Sequence, residues 1–133
     1  MKIAIIAHDS KKYLMIDLCI AYCGILSKHE ICSTSATGKN IHDATGLSVE
    51  RMLTGGSGGI EQVASRISCN EVQLLLYFKS NNLADPEMMN SAELLRLCDI
   101  YNIPVATNLA TAEAILLALD RGDLDYLDWR KKS

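Results

Sequence analysis

The stretch Val72-Gln73-Leu74-Leu75-Leu76-Tyr77-Phe78 decides the fold class of this chain. It is short, it is apolar on both of its alternating faces, and polar residues follow it from Lys79 onward. A strand that is apolar on both faces is typical of a parallel sheet that helices cover on both sides. The sequence therefore predicts a buried strand at 72–78 in the middle of an α/β fold.

Four further strands and five helices are predicted around this strand. The strands lie at 2–7, 30–34, 49–53 and 105–107, and the helices at 11–28, 37–45, 58–70, 91–101 and 108–120. Gly46 suits a left-handed helix end, and Asn108 and Thr111 can cap the last helix. Because strand and helix alternate along the chain, we expect a doubly wound, five-stranded parallel sheet with helices on both faces. We expect residues 1–133 to form a single domain.

Composition excludes several classes of partner. The chain has 133 residues, 49% of them hydrophobic, and a net charge of −3 without a basic stripe, which argues against binding nucleic acid. No segment approaches the roughly 20 apolar residues that span a bilayer, and the apolar start is too short for a secretory signal. Five scattered cysteines are typical of a reducing compartment, so a cytoplasmic protein is expected.

Two of the cysteines, Cys19 and Cys23, fall on one helical face and could bind a metal together with His8. The chain has no CxxC pair, and small apolar residues at this spacing are typical of a helix core. We therefore interpret both cysteines as core residues and expect neither a metal nor a cofactor.

The glycine-rich turn Thr54-Gly55-Gly56-Ser57-Gly58-Gly59 precedes the helix predicted at 58–70. Backbone N–H groups of such a turn can close around an anion such as phosphate. An enzyme would place a proton-transfer group directly after the turn, where this chain has Ile60. The turn therefore predicts phosphate binding without the expected acid–base group.

Other polar residues follow the predicted strands, at the sheet edge where ligands bind in parallel sheets. They include His8, hydroxyl residues between 33 and 37, and Lys79. Helix capping alone would explain part of this set. Lys12 is the expected phosphate ligand because it lies one turn into its helix, whereas Lys11 is expected to be solvated. His8 could be functional or an ordinary hydrogen-bonded histidine, and His29 and His42 are assigned no role.

Several short motifs together carry a family resemblance. They are Ile6-Ala7-His8-Asp9 with Lys12, Thr34 through Gly38, Ala44-Thr45-Gly46-Leu47, Gly58-Gly59 with Gln62-Val63, Leu94-Leu95-Arg96-Leu97, and Asn102-Ile103-Pro104-Val105-Ala106-Thr107-Asn108 followed by Ala110-Thr111-Ala112. In this order and spacing, they make the chain resemble the methylglyoxal synthase family over essentially its whole length.

The resemblance implies a chemistry and a set of site residues. The family, a group of lyases, eliminates phosphate from dihydroxyacetone phosphate to give methylglyoxal: a carboxylate removes a proton from carbon, an enediolate forms, and phosphate leaves. Family members are homohexamers, so a homo-oligomer is expected. The resemblance assigns His8 and Asp9 to the reactive side, and it assigns phosphate binding to Lys12, Thr34, Thr37, Thr54 and Gly55.

The chain departs from the family pattern on the proton-transfer side. The family's base is an aspartate directly after the Gly-Gly pair, at the position of Ile60. In the loop after the fourth strand, the family has an Asp-Pro, then a Pro-His and a further aspartate. This chain has Ser80-Asn81, Pro86-Glu87 and Asn90 at these positions. In the threonine-rich turn, Ala36 replaces one family threonine. Glu61 cannot substitute for the base, because one residue along a helix turns a side chain by about 100°.

Three functional hypotheses follow. The first is a protein that binds phosphate or a small phosphorylated metabolite and has weak or no synthase activity, since losing a general base costs about 10²–10⁴-fold in rate. The alternative is an active synthase that uses Asp9 or Glu87 as its base, although an ionised Glu87 would repel phosphate. A third possibility is another elimination or isomerisation of a small phosphate ester. Related domains act as regulatory modules in larger enzymes, and this analogy favours the first hypothesis, a binding role.

Overall fold

A five-stranded, all-parallel sheet forms the centre of the computed structural model, which describes residues 1–55 and 58–131. Its strands run in the order β3-β2-β1-β4-β5, and every neighbouring pair is parallel. The strands are β1 Lys2–Ala7, β2 Glu30–Ser33, β3 Glu50–Arg51, β4 Leu74–Phe78 and β5 Val105–Ala106. The predicted α/β class with a parallel sheet is therefore confirmed.

Helices connect these strands. A 3₁₀ turn, Asp9–Lys11, leads into the first of them, and the helices are α1 Lys12–Ala21, α2 Cys23–Leu26, α3 Ser35–Thr45, α4 Gly59–Ser68, α5 Met88–Ile100, α6 Leu109–Asp120 and α7 Tyr126–Lys131. Within the described part of the chain, none of them has the length and apolar character needed to cross a membrane.

Two hydrophobic cores cover the two faces of the sheet. Alternate residues of β1 point to opposite sides, so Ile5 packs in one core and Ile6 in the other. The first core includes Leu18 of α1, Ile41 of α3 and Leu116 of α6. The second is formed with α4 and α5, through Ile60, Val63, Ile67, Leu94 and Cys98. Helices therefore lie on both faces, as the apolar strands predict.

The helix predicted at 11–28 is divided in the structure. Tyr22, with φ −111° and ψ 23°, leaves helical geometry between α1 and α2. Gly24, a residue of low helix propensity, follows closely. The change of direction places Leu26 fully in the first core. The prediction of one continuous helix was wrong because tertiary packing of Leu26 outweighs local helical periodicity.

Helix α5 begins at Met88, three residues earlier than predicted, so the loop after β4 is shorter. Asp85 explains the difference: its Oδ1 accepts a hydrogen bond from the Glu87 N–H at 2.9 Å, and its carbonyl accepts one from the Met88 N–H at 3.1 Å. Asparagine and aspartate start turns and helices in this way. The predicted helix ends at Gly46 and Asn108 are confirmed, since Gly46 has φ 75° and Asn108 accepts from the Thr111 N–H at 3.0 Å. Thr111, the other predicted cap, instead lies inside α6.

Candidate functional site

A cavity of about 290 Å³ opens at the carboxyl edge of the sheet. It lies next to the carboxyl ends of the neighbouring strands β1 and β4. The strands that follow β1 in sequence, β2 and β3, lie on one side of this pair, and β5 lies on the other. Ligands of open α/β sheets bind at such switch points. Its lining comprises Ile6, Ala7, His8, Asp9, Lys12, Thr34, Ala36, Thr37, Thr54, Gly55, Ile60, Tyr77 and Glu87.

Lys79, which the sequence also placed at this edge, does not line the cavity, but nine other residues that the sequence singled out do. They are His8, Asp9, Lys12, Thr34, Thr37, Thr54, Gly55, Ile60 and Glu87. Gly56 and Ser57, the middle of the predicted phosphate turn, lie outside the described residues. Segments from four different parts of the chain therefore meet in one site, because the carboxyl ends of parallel strands share an edge.

Two threonines give the cavity a buried, polar wall. Thr34 directly precedes α3, all of whose residues are described, and its side chain makes no capping hydrogen bond to that helix. The Thr37 hydroxyl donates to the carbonyl of Ala7 at 3.4 Å. The first N–H groups of a helix have no acceptor within the helix and carry partial positive charge. The start of α3 thus offers donors to an anion in the cavity.

Lys12 and Asp9 form an ion pair at the cavity lip, with Nζ 2.7 Å from Oδ1. The lysine side chain is 23% exposed and the aspartate 88% exposed. The hydrogen bond from Lys12, and then its charge, lowers the pKa of the Asp9 carboxyl. A carboxylate with a lowered pKa is a weaker proton acceptor. The pair therefore favours Lys12 as a ligand for an anion and disfavours Asp9 as a general base.

Glycines bring the start of α4 close to the preceding strand segment. Gly58 has φ 104°, in the left-handed region, and a Cβ atom at Gly59 would lie 2.2 Å from the Leu53 carbonyl oxygen. The Gly59 N–H donates to the Thr54 carbonyl at 2.8 Å. Only glycine permits such a close approach of two backbone segments. The turn consequently sets Ile60 at the cavity wall.

Ile60 presents an aliphatic side chain to the cavity. It is 3% exposed and packs in the second core, and its Cδ1 is 4.0 Å from the position that a Cβ would take on Gly55. The neighbouring Glu61 is exposed and does not line the cavity. The inward orientation of Ile60 agrees with the helical periodicity of Ile60, Val63 and Ile67. No carboxylate therefore enters the cavity from the described part of the first turn of α4.

Glu87 approaches the same point from the loop between β4 and α5. Its Oε1 is 3.9 Å from the position of a Cβ on Gly55, so Glu87 and Ile60 flank that glycine. A second carboxylate, besides that of Asp9, is thus present in the cavity, and it comes from the loop before α5 and not from helix α4, which carries Ile60.

His8 contacts the same loop. Its Nε2 is 3.0 Å from Oδ2 of Asp85, and its Nδ1 is 2.8 Å from the Ser10 hydroxyl. One ligand atom each from His8, Asp85 and Glu87 lie within 4.8 Å of one another, and no other such group of metal-ligating side chains occurs among the described residues. Cys19 and Cys23 are not part of it, and burial raises the pKa of the Cys19 thiol to about 12, as suits a core residue.

Tyr77 and Asp85 are site residues that the sequence did not identify. The Tyr77 hydroxyl is 2.6 Å from the Ser91 hydroxyl, which donates to the Glu87 carbonyl at 3.1 Å. Burial raises the pKa of Tyr77, so it stays neutral. Its position at the end of β4, one residue before Phe78, is the signal that places it at the ligand-binding edge. Asp85 gave no comparable signal.

Known proteins share both the sequence and the fold. Residues 15–107 match the family of MGS-like domains. Methylglyoxal synthase of Caldicellulosiruptor saccharolyticus is 49% identical over 126 residues, which cover 95% of this chain and 89% of that protein. Methylglyoxal synthase of Bacillus mycoides is 47% identical over 131 residues, covering 98% and 100%. The crystal structure of methylglyoxal synthase from Elizabethkingia anophelis NUHP1 matches with a TM-score of 0.79 and 33% identity, covering 86% of this chain and 76% of that one.

Proposed function

Because this chain belongs to the methylglyoxal synthase family, we propose that it binds phosphate or a small phosphorylated metabolite resembling dihydroxyacetone phosphate, and that its synthase activity is weak or lost. The observation that carries this proposal is the position of Ile60. Its aliphatic side chain, 3% exposed, lines the cavity where the family resemblance places the catalytic aspartate.

Binding of a phosphate group is supported by the polar wall of the cavity. Lys12 supplies a positive charge, Thr34 and Thr37 supply buried hydroxyls, and Thr54 and Gly55 belong to the glycine turn that also lines the cavity. Charge-assisted hydrogen bonds of this kind are short and roughly twice as strong as neutral ones. These five residues are the proposed phosphate ligands.

Weak catalysis follows from the groups that surround the reacting end of the ligand. Removing a proton from carbon needs a base with a pKa close to the working pH. Isoleucine has no titratable group, and Asp9 is engaged by Lys12. We expect a deficit on the order of 10²–10⁴-fold relative to a synthase with a positioned base.

Glu87 supports a second candidate function, an active methylglyoxal synthase with a relocated base. The specific observation is that Glu87 lines the cavity and that its carboxylate lies near Gly55, as the Ile60 side chain does. In this alternative, Glu87 removes the proton that the family's aspartate would remove. Its negative charge acts against phosphate binding, which is why binding with weak catalysis is the primary proposal.

Calorimetric titration with inorganic phosphate and with dihydroxyacetone phosphate tests the binding function. We expect both ligands to bind, and Thr34→Val to weaken binding by about threefold to tenfold, the value of roughly one hydrogen bond. Thr111→Val, at an exposed position of helix α6 outside the cavity lining, is the matched control and should leave both affinities unchanged. Failure of the unmodified protein to bind either ligand at millimolar concentration would contradict the proposal.

We also infer that the chain forms a homo-oligomer, a hexamer by the family resemblance. Three large apolar side chains are strongly exposed in the isolated chain: Leu83 at 85%, Met89 at 84% and Trp129 at 70%. Contact with a second copy would remove such surface from water. Sedimentation velocity should find a species several times heavier than 14.6 kDa, and a monomer would contradict this inference.

A further inference from the structure

We propose that His8, Asp85 and Glu87 bind a divalent metal ion at the edge of the cavity, where His8 and Glu87 line it and Asp85 contacts His8, and that this ion strengthens phosphate binding there. Metal binding is inferred from the positions of these side chains and does not depend on the proposed function, whereas the effect on phosphate binding rests on it. The starting observation is that an imidazole nitrogen and two carboxylate oxygens from these residues all lie within 4.8 Å of one another.

The chemistry of the three groups suits a divalent cation. One imidazole and two carboxylates form a mixed nitrogen and oxygen set, which Mn²⁺ and Zn²⁺ accept in proteins. Zn²⁺ binds these atoms at about 2.0–2.2 Å, so ligand atoms that share one ion lie about 3–4 Å apart. Nε2 of His8 and Oδ2 of Asp85 already lie 3.0 Å apart, and the Glu87 carboxylate would move towards them. Positions left open by the protein would be available to water or to a phosphate oxygen.

Backbone contacts hold the ligands in place. The His8 N–H donates to the Phe78 carbonyl at 2.8 Å, which fixes the residue at the end of β1. Asp85 uses Oδ1 to accept from the Glu87 N–H, which leaves Oδ2 facing His8. The Ser10 hydroxyl lies 2.8 Å from Nδ1 of His8, and the Ser10 N–H donates to the same nitrogen at 3.2 Å. When Nε2 binds the ion, Nδ1 would carry the proton and donate it to the Ser10 hydroxyl, and the bond from the Ser10 N–H would be lost. Partners of this kind orient ligating histidines.

The charge balance of the cavity is an independent reason to expect a cation. Among the described residues that line it, Asp9 and Glu87 carry negative charges, and Lys12 is the only lysine or arginine. Lys12 is the ligand proposed for the phosphate itself, so no second lysine or arginine among the described lining residues offsets the charge of Glu87. A divalent ion beside Glu87 would offset the repulsion between Glu87 and phosphate and supply a direct ligand for phosphate.

Titration with Mn²⁺ alone tests the metal site, with binding followed by electron paramagnetic resonance and calorimetry. Mn²⁺ prefers oxygen and imidazole to thiolate, so the five cysteines compete little. We expect one Mn²⁺ per chain and a loss of at least about tenfold in affinity for each of His8→Ala, Asp85→Asn and Glu87→Gln. Asp43→Asn is the control, because that exposed carboxylate pairs with Lys39 on α3.

Melting curves in chelator verify that each variant is folded before its titration. Absence of Mn²⁺ binding by the unmodified protein, or equal binding by a folded triple variant, would overturn the metal site.

Phosphate titration with and without Mn²⁺ separates this proposal from the proposed function. We expect Mn²⁺ to tighten phosphate binding by the unmodified protein and to have no such effect on Glu87→Gln. Phosphate binding in chelator, with no Mn²⁺ bound at any concentration, would overturn the metal proposal and leave the binding function intact. Mn²⁺ binding without phosphate binding under either condition would support the metal site and contradict the binding function.

Discussion

The ammonium group of Lys12 lies 2.7 Å from the Oδ1 atom of Asp9, at the lip of a cavity that also contains two buried threonines. The aspartate side chain is almost fully exposed, so water competes for both charges and weakens the ion pair. An anion that enters the cavity can therefore replace Asp9 as the partner of the Lys12 ammonium group, with only a small loss of free energy from the broken ion pair. The contact also explains why Asp9 makes a poor base, since its lowered pKa stabilises the ionised form.

Substituting Lys12 should weaken phosphate binding. We expect Lys12→Ala to lower the affinity about tenfold to a hundredfold, the equivalent of a hydrogen bond from a charged donor. Lys11→Ala is the matched control, because Lys11 precedes it in sequence and does not line the cavity. Calorimetry with inorganic phosphate gives both values. Equal affinities for the two variants would remove Lys12 from the site.

Two glycine substitutions should have opposite effects on stability. A Cβ at Gly59 would lie 2.2 Å from one carbonyl oxygen and 2.8 Å from a second, so Gly59→Ala should lower the free energy of unfolding by at least about 1–3 kcal/mol. Nothing lies within 4 Å of the corresponding position at Gly24, within helix α2, so Gly24→Ala should raise it by about 0.5–1 kcal/mol. Urea denaturation measures both changes, and a stable Gly59→Ala would show that the α4 turn tolerates a different path.

Acid should remove a contribution that Glu50 makes to stability. Hydrogen bonds from Arg66 and Lys2 lower the pKa of Glu50 from 4.5 to about 2. A carboxylate with a lowered pKa stabilises the fold above its unfolded pKa, and that contribution is lost as the pH falls from about 5 towards 2. Because Glu50 is 46% exposed, solvent screening limits the contribution to about 1 kcal/mol or less.

Urea denaturation at pH 7 and at pH 3 tests this contribution. Glu50→Gln should be less stable than the unmodified protein at pH 7, and the difference should shrink at pH 3. Glu93→Gln is the control, since its ion pair with Arg96 lies on the exposed surface of a single helix. A Glu50→Gln deficit that is independent of pH would contradict the account.

The sheet and most of its helices could be predicted from local pattern. Strand β1, predicted at 2–7, has those bounds in the structure because its residues are apolar on both faces and polar residues follow. The position of Ile60 at the cavity wall could also be predicted, because the two preceding glycines and the helical period of α4 fix its direction.

Features that depend on contacts between distant segments could not be predicted in this way. Tyr22 interrupts a helical pattern because Leu26 packs in the core, which no local signal reports. The contact of His8 with Asp85 depends on the path of the loop before α5, and so does the entry of Glu87 into the cavity. Asp85 is one acidic residue in a polar loop, so its role was visible only in three dimensions.

The central claim is that an aliphatic residue stands where this family needs a base, and restoring a carboxylate there tests it most directly. Methylglyoxal production from dihydroxyacetone phosphate is measured for the unmodified protein, for Ile60→Asp, and for Ile60→Val as a control that alters the same side chain without adding a carboxylate.

The account predicts little turnover by the unmodified protein and by Ile60→Val, and a gain of about 10²-fold or more for Ile60→Asp. Robust turnover by the unmodified protein that Glu87→Gln or Asp9→Asn abolishes would contradict it.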